Sequence, residues 1–187
     1  MLLNLIAFQI GWFACVLGGA RGWPWLGVLV TIAAVALHLY RAARPRLEAA
    51  LIGLSGLLGF IADSLLTGMG LLRFPSGQFH TDLAPYWMVA MWMLFATTFN
   101  VALGWLKPRL GLAALLGMTA GPLAYYGGAQ LGGVSFENPA ASLLAVAGVW
   151  TLAMPLLLVI ANRWNGMAET APTSAGPGMS DKAGKPG

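Results

Sequence analysis

The chain has 187 residues, of which 58% are hydrophobic and only 9% are charged. A soluble domain carries about a quarter charged residues, so this composition excludes a water-soluble globular protein and predicts a membrane protein. The net charge of +4 is small and unevenly placed along the chain, which argues against nucleic acid as a partner.

Six stretches have the length and apolar character of membrane-spanning helices, which need roughly 20 residues. They cover residues 2–20, 24–40, 47–72, 85–106, 110–127 and 142–161. The first begins with Met-Leu-Leu-Asn-Leu-Ile, which lacks the basic segment of a cleavable signal, so we expect a retained helix. The predicted fold is all-α, a polytopic bundle of six transmembrane helices within a domain at residues 1–164.

Lysine and arginine side chains predict the orientation of this bundle, because they concentrate in cytoplasmic segments. With six spans, one side of the membrane carries only Arg21 and Arg73. The other side carries Arg41, Arg44, Arg46, Lys107, Arg109, Arg163, Lys182 and Lys185. We therefore expect both termini in the cytoplasm. Residues 165–187, rich in Pro, Gly, Ser, Thr and Lys, predict a disordered cytoplasmic tail because they cannot bury apolar surface.

Asp63 is the one acidic side chain deep within an apolar stretch, about 24 Å along the third predicted span. Ionisable groups at membrane depth are functional candidates by default, since lipid does not solvate them. Helical spacing places Gly56, Gly59, Asp63, Thr67 and Gly70 on one face, where small residues let another helix approach closely. Asp63 and Thr67 are candidates to bind a ligand. A structural carboxyl, bonded to Thr67, a Trp indole or backbone, remains the alternative.

Aromatic side chains of the fourth and fifth predicted spans reach the same level of the membrane. Trp92, Tyr125 and Tyr126 are therefore further candidates to bind a ligand. The spacing Gly117-x-x-x-Gly121 in the fifth span favours a close helix crossing. The alternative for Tyr126 is an anchor in the aromatic belt at the membrane interface, and the alternative for Trp92 is helix packing.

Three other polar side chains are predicted to have structural roles. Asn4 and Asn100 lie at a similar depth near the cytoplasmic side, where an amide pair across two helices would contribute roughly 0.6–2 kcal/mol. Gln9 lies in the middle of the membrane and needs a partner that the sequence does not identify.

Patterns typical of metal or cofactor chemistry are missing from the sequence. The only histidines are His38 and His80, and His80 with Asp82 is too small a ligand set for zinc or iron. The chain has no nucleophile elbow, phosphate loop or dinucleotide fingerprint. We therefore predict no metal and no cofactor.

Four short motifs in a fixed order carry a resemblance to a known family. They are Asn4-x4-Gln9-x2-Trp12, Gly59-x3-Asp63-x6-Gly70 leading to Phe74, Pro85-x-Trp87-x4-Trp92-x2-Phe95, and Gly121-Pro122-x2-Tyr125. Over residues 1–164 the chain resembles the domain of unknown function 2878 family of bacterial inner-membrane proteins. The resemblance implies a small multi-pass protein of that membrane, with Asp63 in a motif position. It implies no activity, but family members often neighbour genes for fatty-acyl or lipid modification.

Three functional hypotheses follow from these observations. The first is a protein that binds an apolar or lipid-like molecule in an outward-opening cavity lined by Asp63, Trp92 and Tyr125. Its partners would be membrane lipids and proteins of a lipid-modifying pathway, and a proton-coupled transporter variant would need a homodimer. The second is an intramembrane enzyme that uses Asp63 as a general acid or base, which normally needs a second positioned group. The third is a structural or accessory subunit whose polar residues hold helices together.

Overall fold

The computed structural model describes residues 1–167, and these residues form an all-helical protein. The six α-helices of this region are α1 (Leu2–Ala20), α2 (Pro24–Tyr40), α3 (Pro45–Gly68), α4 (Tyr86–Ala96), α5 (Leu110–Gln130) and α6 (Pro139–Arg163). Helices α2, α3 and α6 begin with proline, whose missing N–H costs nothing at that position. Most of the predicted tail, residues 168–187, lies outside the described residues.

The predicted fourth span, residues 85–106, is an α-helix only over Tyr86–Ala96. Just after this helix, the hydroxyls of Thr97 and Thr98 each donate to a carbonyl three residues earlier, over 2.7 Å. Such bonds compete with the α-helical pattern. The chain then continues through hydrogen-bonded turns to a short 3₁₀ helix at Gly104–Leu106. The expectation of one continuous helix was therefore wrong in the second half of this segment.

Four of the helices, α1, α3, α5 and α6, are long and apolar enough to cross a membrane. Helices α2 and α4 are also apolar but shorter, with 17 and 11 residues. The length and apolar composition of the four longer helices are typical of membrane-spanning segments. The structure therefore supports an all-α membrane protein with four candidate spans, while the six-span arrangement remains a proposal.

Helix α4 lies inside the bundle and packs against α1, α2 and α3, while α5 packs along α6. Helix α3 contacts both α4 and α6 and so connects the two groups. The predicted close crossing at Gly117 and Gly121 is confirmed, because both glycines lie directly against Trp150 of α6. Helices α1 and α5 do not pack closely against each other, which leaves space between them.

The two long loops are joined at one end of the bundle. Arg73 and Ser135 exchange two backbone hydrogen bonds, of 3.0 and 2.8 Å. The guanidinium of Arg73 also donates two hydrogen bonds to Glu137, over 3.0 and 2.8 Å. Both side chains of this ion pair are about half exposed, so the pair contributes little to stability.

Candidate functional site

Asp63 is buried where α3 meets α4 and α5, and both of its carboxyl oxygens accept hydrogen bonds. The Trp92 indole N–H donates to Oδ2 over 2.8 Å, and the Tyr125 hydroxyl donates to Oδ1 over 2.5 Å. Asp63 is only 1% exposed. Within residues 1–167, no Lys, Arg or His forms an ion pair with it. Polar donors from two neighbouring helices therefore replace the water that this carboxyl lacks.

The two donors belong to an aromatic cluster that also contains Trp150 of α6. The rings of Trp92 and Trp150 stack with centroids 4.4 Å apart and planes 15° apart, and Phe95 meets Trp150 edge-on. The Trp150 indole N–H lies near the Tyr125 hydroxyl, but among the described residues no acceptor meets hydrogen-bond geometry. The cluster thus connects the Asp63 carboxyl to α4, α5 and α6 through packed rings.

Small residues of α3 allow the Trp92 indole to reach the carboxyl. Gly59 lies one turn before Asp63, and a methyl group at this position would collide with the indole ring. One turn earlier, the Ser55 hydroxyl donates to the main-chain carbonyl of Trp92 over 3.1 Å. The small residues on this face of α3 therefore allow α4 to approach closely, as their spacing predicted.

A cavity of about 540 Å³ lies between α1, α4, α5 and α6. Its wall is almost entirely apolar, and the α5 side is formed largely by small residues at Gly117, Ala120, Gly121 and Ala124. Aromatic rings from all four helices complete it, among them Phe8, Trp12, Trp92, Phe95, Tyr125 and Trp150. This volume is within the range of about 300–1,000 Å³ found for small-molecule pockets, and the lining favours an apolar occupant.

The rings of Trp92 and Tyr125 face this cavity while their polar atoms bond to Asp63. Asp63 itself is not among the lining residues, so the carboxyl lies behind the wall instead of forming part of it. Thr67 donates to the main-chain carbonyl of Asp63 over 2.7 Å, not to the carboxyl as expected. Tyr126 is 51% exposed and lies outside the cavity. The structure therefore brings Asp63, Trp92 and Tyr125 together and leaves Tyr126 apart.

The three polar residues predicted to be structural have separate surroundings. Asn4 donates to the main-chain carbonyl of Thr97 over 3.1 Å, whereas Asn100 donates to Glu48 over 2.6 Å. The expected pair of Asn4 with Asn100 does not form, because α4 ends before Asn100 and the following turns carry its side chain to α3. Gln9 lies on the α1 wall of the cavity, and no hydrogen bond links it to another described residue.

Glu48, in the first turn of α3, is a second buried carboxyl that the sequence patterns did not single out. It is fully buried and bonds to His38 Nε2 over 2.7 Å, to Asn100 over 2.6 Å and to the Gly166 backbone N–H over 2.8 Å. Lys107 donates to the Asn100 amide over 2.5 Å. Burial lowers the pKa of the Lys107 ammonium, and the charge of Glu48 opposes that shift. This cluster ties α2, α3, the turns after α4 and the segment after α6 together.

The fold and these sites define the class of protein. It is a helical membrane protein with an apolar cavity and two buried carboxyl groups, Asp63 and Glu48, each held by hydrogen bonds. Within residues 1–167, no group of three or more His, Cys, Asp or Glu side chains could hold a metal ion. The chain belongs to the family described as protein of unknown function (DUF2878), whose model matches residues 1–156. This confirms the resemblance drawn from the sequence motifs. Searches among curated proteins and among solved structures found no match.

Proposed function

We propose that this protein binds a lipid-like or small apolar molecule in the cavity between α1, α4, α5 and α6. The observation that carries the proposal is the size and apolar lining of this cavity, about 540 Å³ with four tryptophans among its wall residues. A hydrocarbon occupant makes van der Waals contacts along the whole of this apolar wall, whereas a strongly polar molecule would lose its hydration there without compensation. Helices α1 and α5 do not pack closely, so a molecule dissolved in the lipid layer would enter between them.

In this proposal Asp63 is a positioning residue for the cavity wall. Its carboxyl fixes the Trp92 indole and the Tyr125 ring by one hydrogen bond each. The Trp150 ring stacks on Trp92, so its orientation depends on that of Trp92. Rings held in one orientation give the cavity a defined shape, which reduces the ordering that a ligand must impose on binding. Membrane lipids would supply the molecule, and proteins of a lipid-modifying pathway would receive or deliver it.

We also propose that the protein lies in the bacterial inner membrane, crosses it six times and has both termini in the cytoplasm. Helix α2 has 17 residues and would extend about 26 Å, close to the thickness of the hydrocarbon core. Helix α4 is shorter, and the hydrogen-bonded turns that follow it to Leu106 would complete the fourth crossing. The excess of Lys and Arg on one side of this arrangement supports the orientation.

Cysteine labelling in intact cells distinguishes six crossings from four. With six, Thr81→Cys faces the outside and reacts with a membrane-impermeant maleimide, while Ala43→Cys reacts only after permeabilisation. If only α1, α3, α5 and α6 cross, with the N-terminus again in the cytoplasm, the two positions exchange sides. Both residues are exposed, and the native Cys15 is buried and serves as the unlabelled control. Outside labelling at Ala43→Cys would contradict the six-span proposal.

Photoaffinity labelling tests ligand binding in the cavity. Purified protein in lipid nanodiscs would receive a long-chain hydrocarbon that carries a diazirine, and labelled residues would be mapped by mass spectrometry. We expect labelling of Phe8, Met91 and Leu116 on the cavity wall to saturate and to be displaced by excess hexadecane. Labelling of lipid-facing positions such as Leu144, which is 73% exposed, should rise without saturation.

A cavity-filling variant provides the matched comparison. Ala120 and Ala124 are exposed residues of the cavity wall, so Ala120→Phe with Ala124→Phe places two rings in the space that the probe would occupy. We expect saturable labelling to fall at least tenfold. Ala33→Phe, the same change at an exposed alanine of α2 away from the cavity, should leave it unchanged. Saturable labelling that survives in the filled variant would refute the cavity as the binding site.

A further inference from the structure

The polar groups of the cavity wall point to the chemical class of its ligand. We propose that the bound molecule is an uncharged amphiphile: a hydrocarbon body with a hydroxyl or carbonyl group that hydrogen-bonds to Gln9. This inference rests on the proposed function, because it concerns the occupant of the same cavity. It adds the nature of the head group and the residue that recognises it.

The first observation is the absence of charge from the wall. Every residue that lines the cavity within the described part of the chain is aliphatic, aromatic, Met, Gly or Ala, apart from Gln9. No Lys, Arg, His, Asp or Glu is among them. Asp63 is separated from the cavity by the rings of Trp92 and Tyr125. A phosphate or carboxylate head group would therefore lose its hydration without gaining a counter-charge, which is strongly unfavourable.

The second observation is that no other described residue forms a hydrogen bond with the side chain of Gln9. It lies near the middle of α1, on the cavity wall, and neither its amide oxygen nor its amide nitrogen bonds to another side chain or carbonyl there. Trp12 lies one helical turn further along α1 and also lines the cavity. No described residue accepts a hydrogen bond from its indole N–H either. Gln9 is exposed and Trp12 is half-buried, so two neighbouring polar side chains of this wall are accessible to a ligand.

The polar groups on the other sides of the wall are either hydrogen-bonded within the protein or buried out of reach of a ligand. The indole N–H of Trp87 donates to a main-chain carbonyl over 3.0 Å. The Trp92 indole N–H and the Tyr125 hydroxyl donate to the Asp63 carboxyl. The Trp150 indole N–H has no acceptor among the described residues, but this nitrogen is buried and does not reach the cavity. These residues offer a ligand mainly their ring faces. Recognition of a polar group in the cavity is therefore left to the α1 side.

An unpaired amide within a membrane-spanning helix is unfavourable, because lipid offers no hydrogen-bond partner. A ligand hydroxyl or carbonyl oxygen accepts from the Gln9 amide nitrogen, and a hydroxyl also donates to the amide oxygen. A plain hydrocarbon leaves the amide unpaired, and an anion finds no positive charge. Only the uncharged amphiphile satisfies both the amide and the apolar wall.

Competition against the diazirine hydrocarbon probe tests this inference, with hexadecan-1-ol, hexadecane and hexadecanoate as competitors in nanodiscs. In the wild type we expect hexadecanol to displace the probe at about a fivefold lower concentration than hexadecane, as one net hydrogen bond would give. Hexadecanoate should be the weakest competitor. In Gln9→Leu, the ratio between alcohol and alkane should fall towards one. Because different partitioning into the lipid affects both proteins equally, the change in this ratio isolates Gln9.

The outcomes separate this inference from the proposed function. If probe labelling in the cavity saturates but the alcohol-to-alkane ratio is the same in Gln9→Leu, recognition by Gln9 is refuted while cavity binding stands. Preferred displacement by hexadecanoate would refute the uncharged class in the same way. Labelling that never saturates in the wild type would refute the proposed function itself. Gln9→Met, which keeps an unbranched side chain of similar length, repeats the test if the leucine variant does not fold.

Discussion

Replacing Asp63 by alanine is expected to lower the free energy of unfolding by about 3–5 kcal/mol. The carboxyl accepts from Trp92 and Tyr125 in a site that is 1% exposed, so its removal leaves two buried donors without a partner. Each unsatisfied buried donor costs about 1–3 kcal/mol, and the expected loss is the sum for the two donors. The loss is measured by circular dichroism at 222 nm during titration with SDS.

A double-mutant cycle shows whether the effect passes through these hydrogen bonds. Tyr125→Phe keeps the ring and removes only the hydroxyl, so alone it should cost about 1–3 kcal/mol. In the Asp63→Ala background the same change should be nearly neutral, since the hydroxyl has no acceptor to lose. Thr67→Ala is the neighbouring control, because Thr67 bonds only to a main-chain carbonyl. Additive losses from the two changes would contradict the hydrogen-bonded arrangement.

The same variants separate the positioning role of Asp63 from a purely structural one. Asp63→Ala has no acceptor oxygen, so in molecules that remain folded the Trp92 and Tyr125 rings both lose the hydrogen bond that fixes their orientation. If Asp63 positions the cavity wall, saturable labelling by the hydrocarbon probe should weaken in this variant even where its helicity is intact. Unchanged labelling in a folded Asp63→Ala protein would favour the third hypothesis, in which polar residues only hold helices together.

Replacing Glu48 by alanine is expected to have a destabilising effect of similar size, about 3–5 kcal/mol. Glu48 is fully buried and bonds to His38, to Asn100 and to the Gly166 backbone, so its removal takes a hydrogen-bond partner from three groups at once. The segment after α6 should also loosen, because Gly166 is held between Arg44 and Glu48. The change is measured by the same SDS titration and by proteolysis after Trp164.

The exposed Glu137 provides a matched control for this prediction. It pairs with Arg73 in a bidentate contact, but both side chains are about half exposed. Glu137→Ala should therefore change the free energy of unfolding by less than about 1 kcal/mol. Equal effects of the two substitutions would contradict the prediction, because burial would then not determine how much Glu48 contributes to stability.

The sequence predicts much of the fold because the length of an apolar stretch can be read from neighbouring residues alone. The bounds of α1 and α2 were predicted to the residue, and those of α5 and α6 differ from the prediction by at most three residues at either end. The fourth segment was predicted too long. Its composition is apolar throughout, but Thr97 and Thr98 bond to nearby carbonyls and end the α-helix, which hydropathy alone does not report.

The candidate site was predicted less completely, because its partners come from distant segments. Asp63 was prominent as an acid deep in an apolar run, and the spacing of Gly59 indicated a close neighbour. The sequence did not reveal that Trp92 and Tyr125 would cover the carboxyl and separate it from the cavity. Glu48 was overlooked because it follows a basic loop and lies only one turn into α3. Its burial depends on Asn100 and Gly166, which approach only in the folded chain.

Native mass spectrometry of the purified protein tests most directly whether the apolar cavity holds an uncharged lipid-like molecule. For the wild type and for Ala33→Phe, we expect a retained adduct that is released as a neutral molecule with a hydroxyl or carbonyl group. The Ala120→Phe, Ala124→Phe protein should be folded and free of that adduct. A wild-type protein that carries no adduct even in nanodiscs supplied with hexadecan-1-ol, or an equal adduct on the filled variant, would show that the cavity does not bind such a molecule.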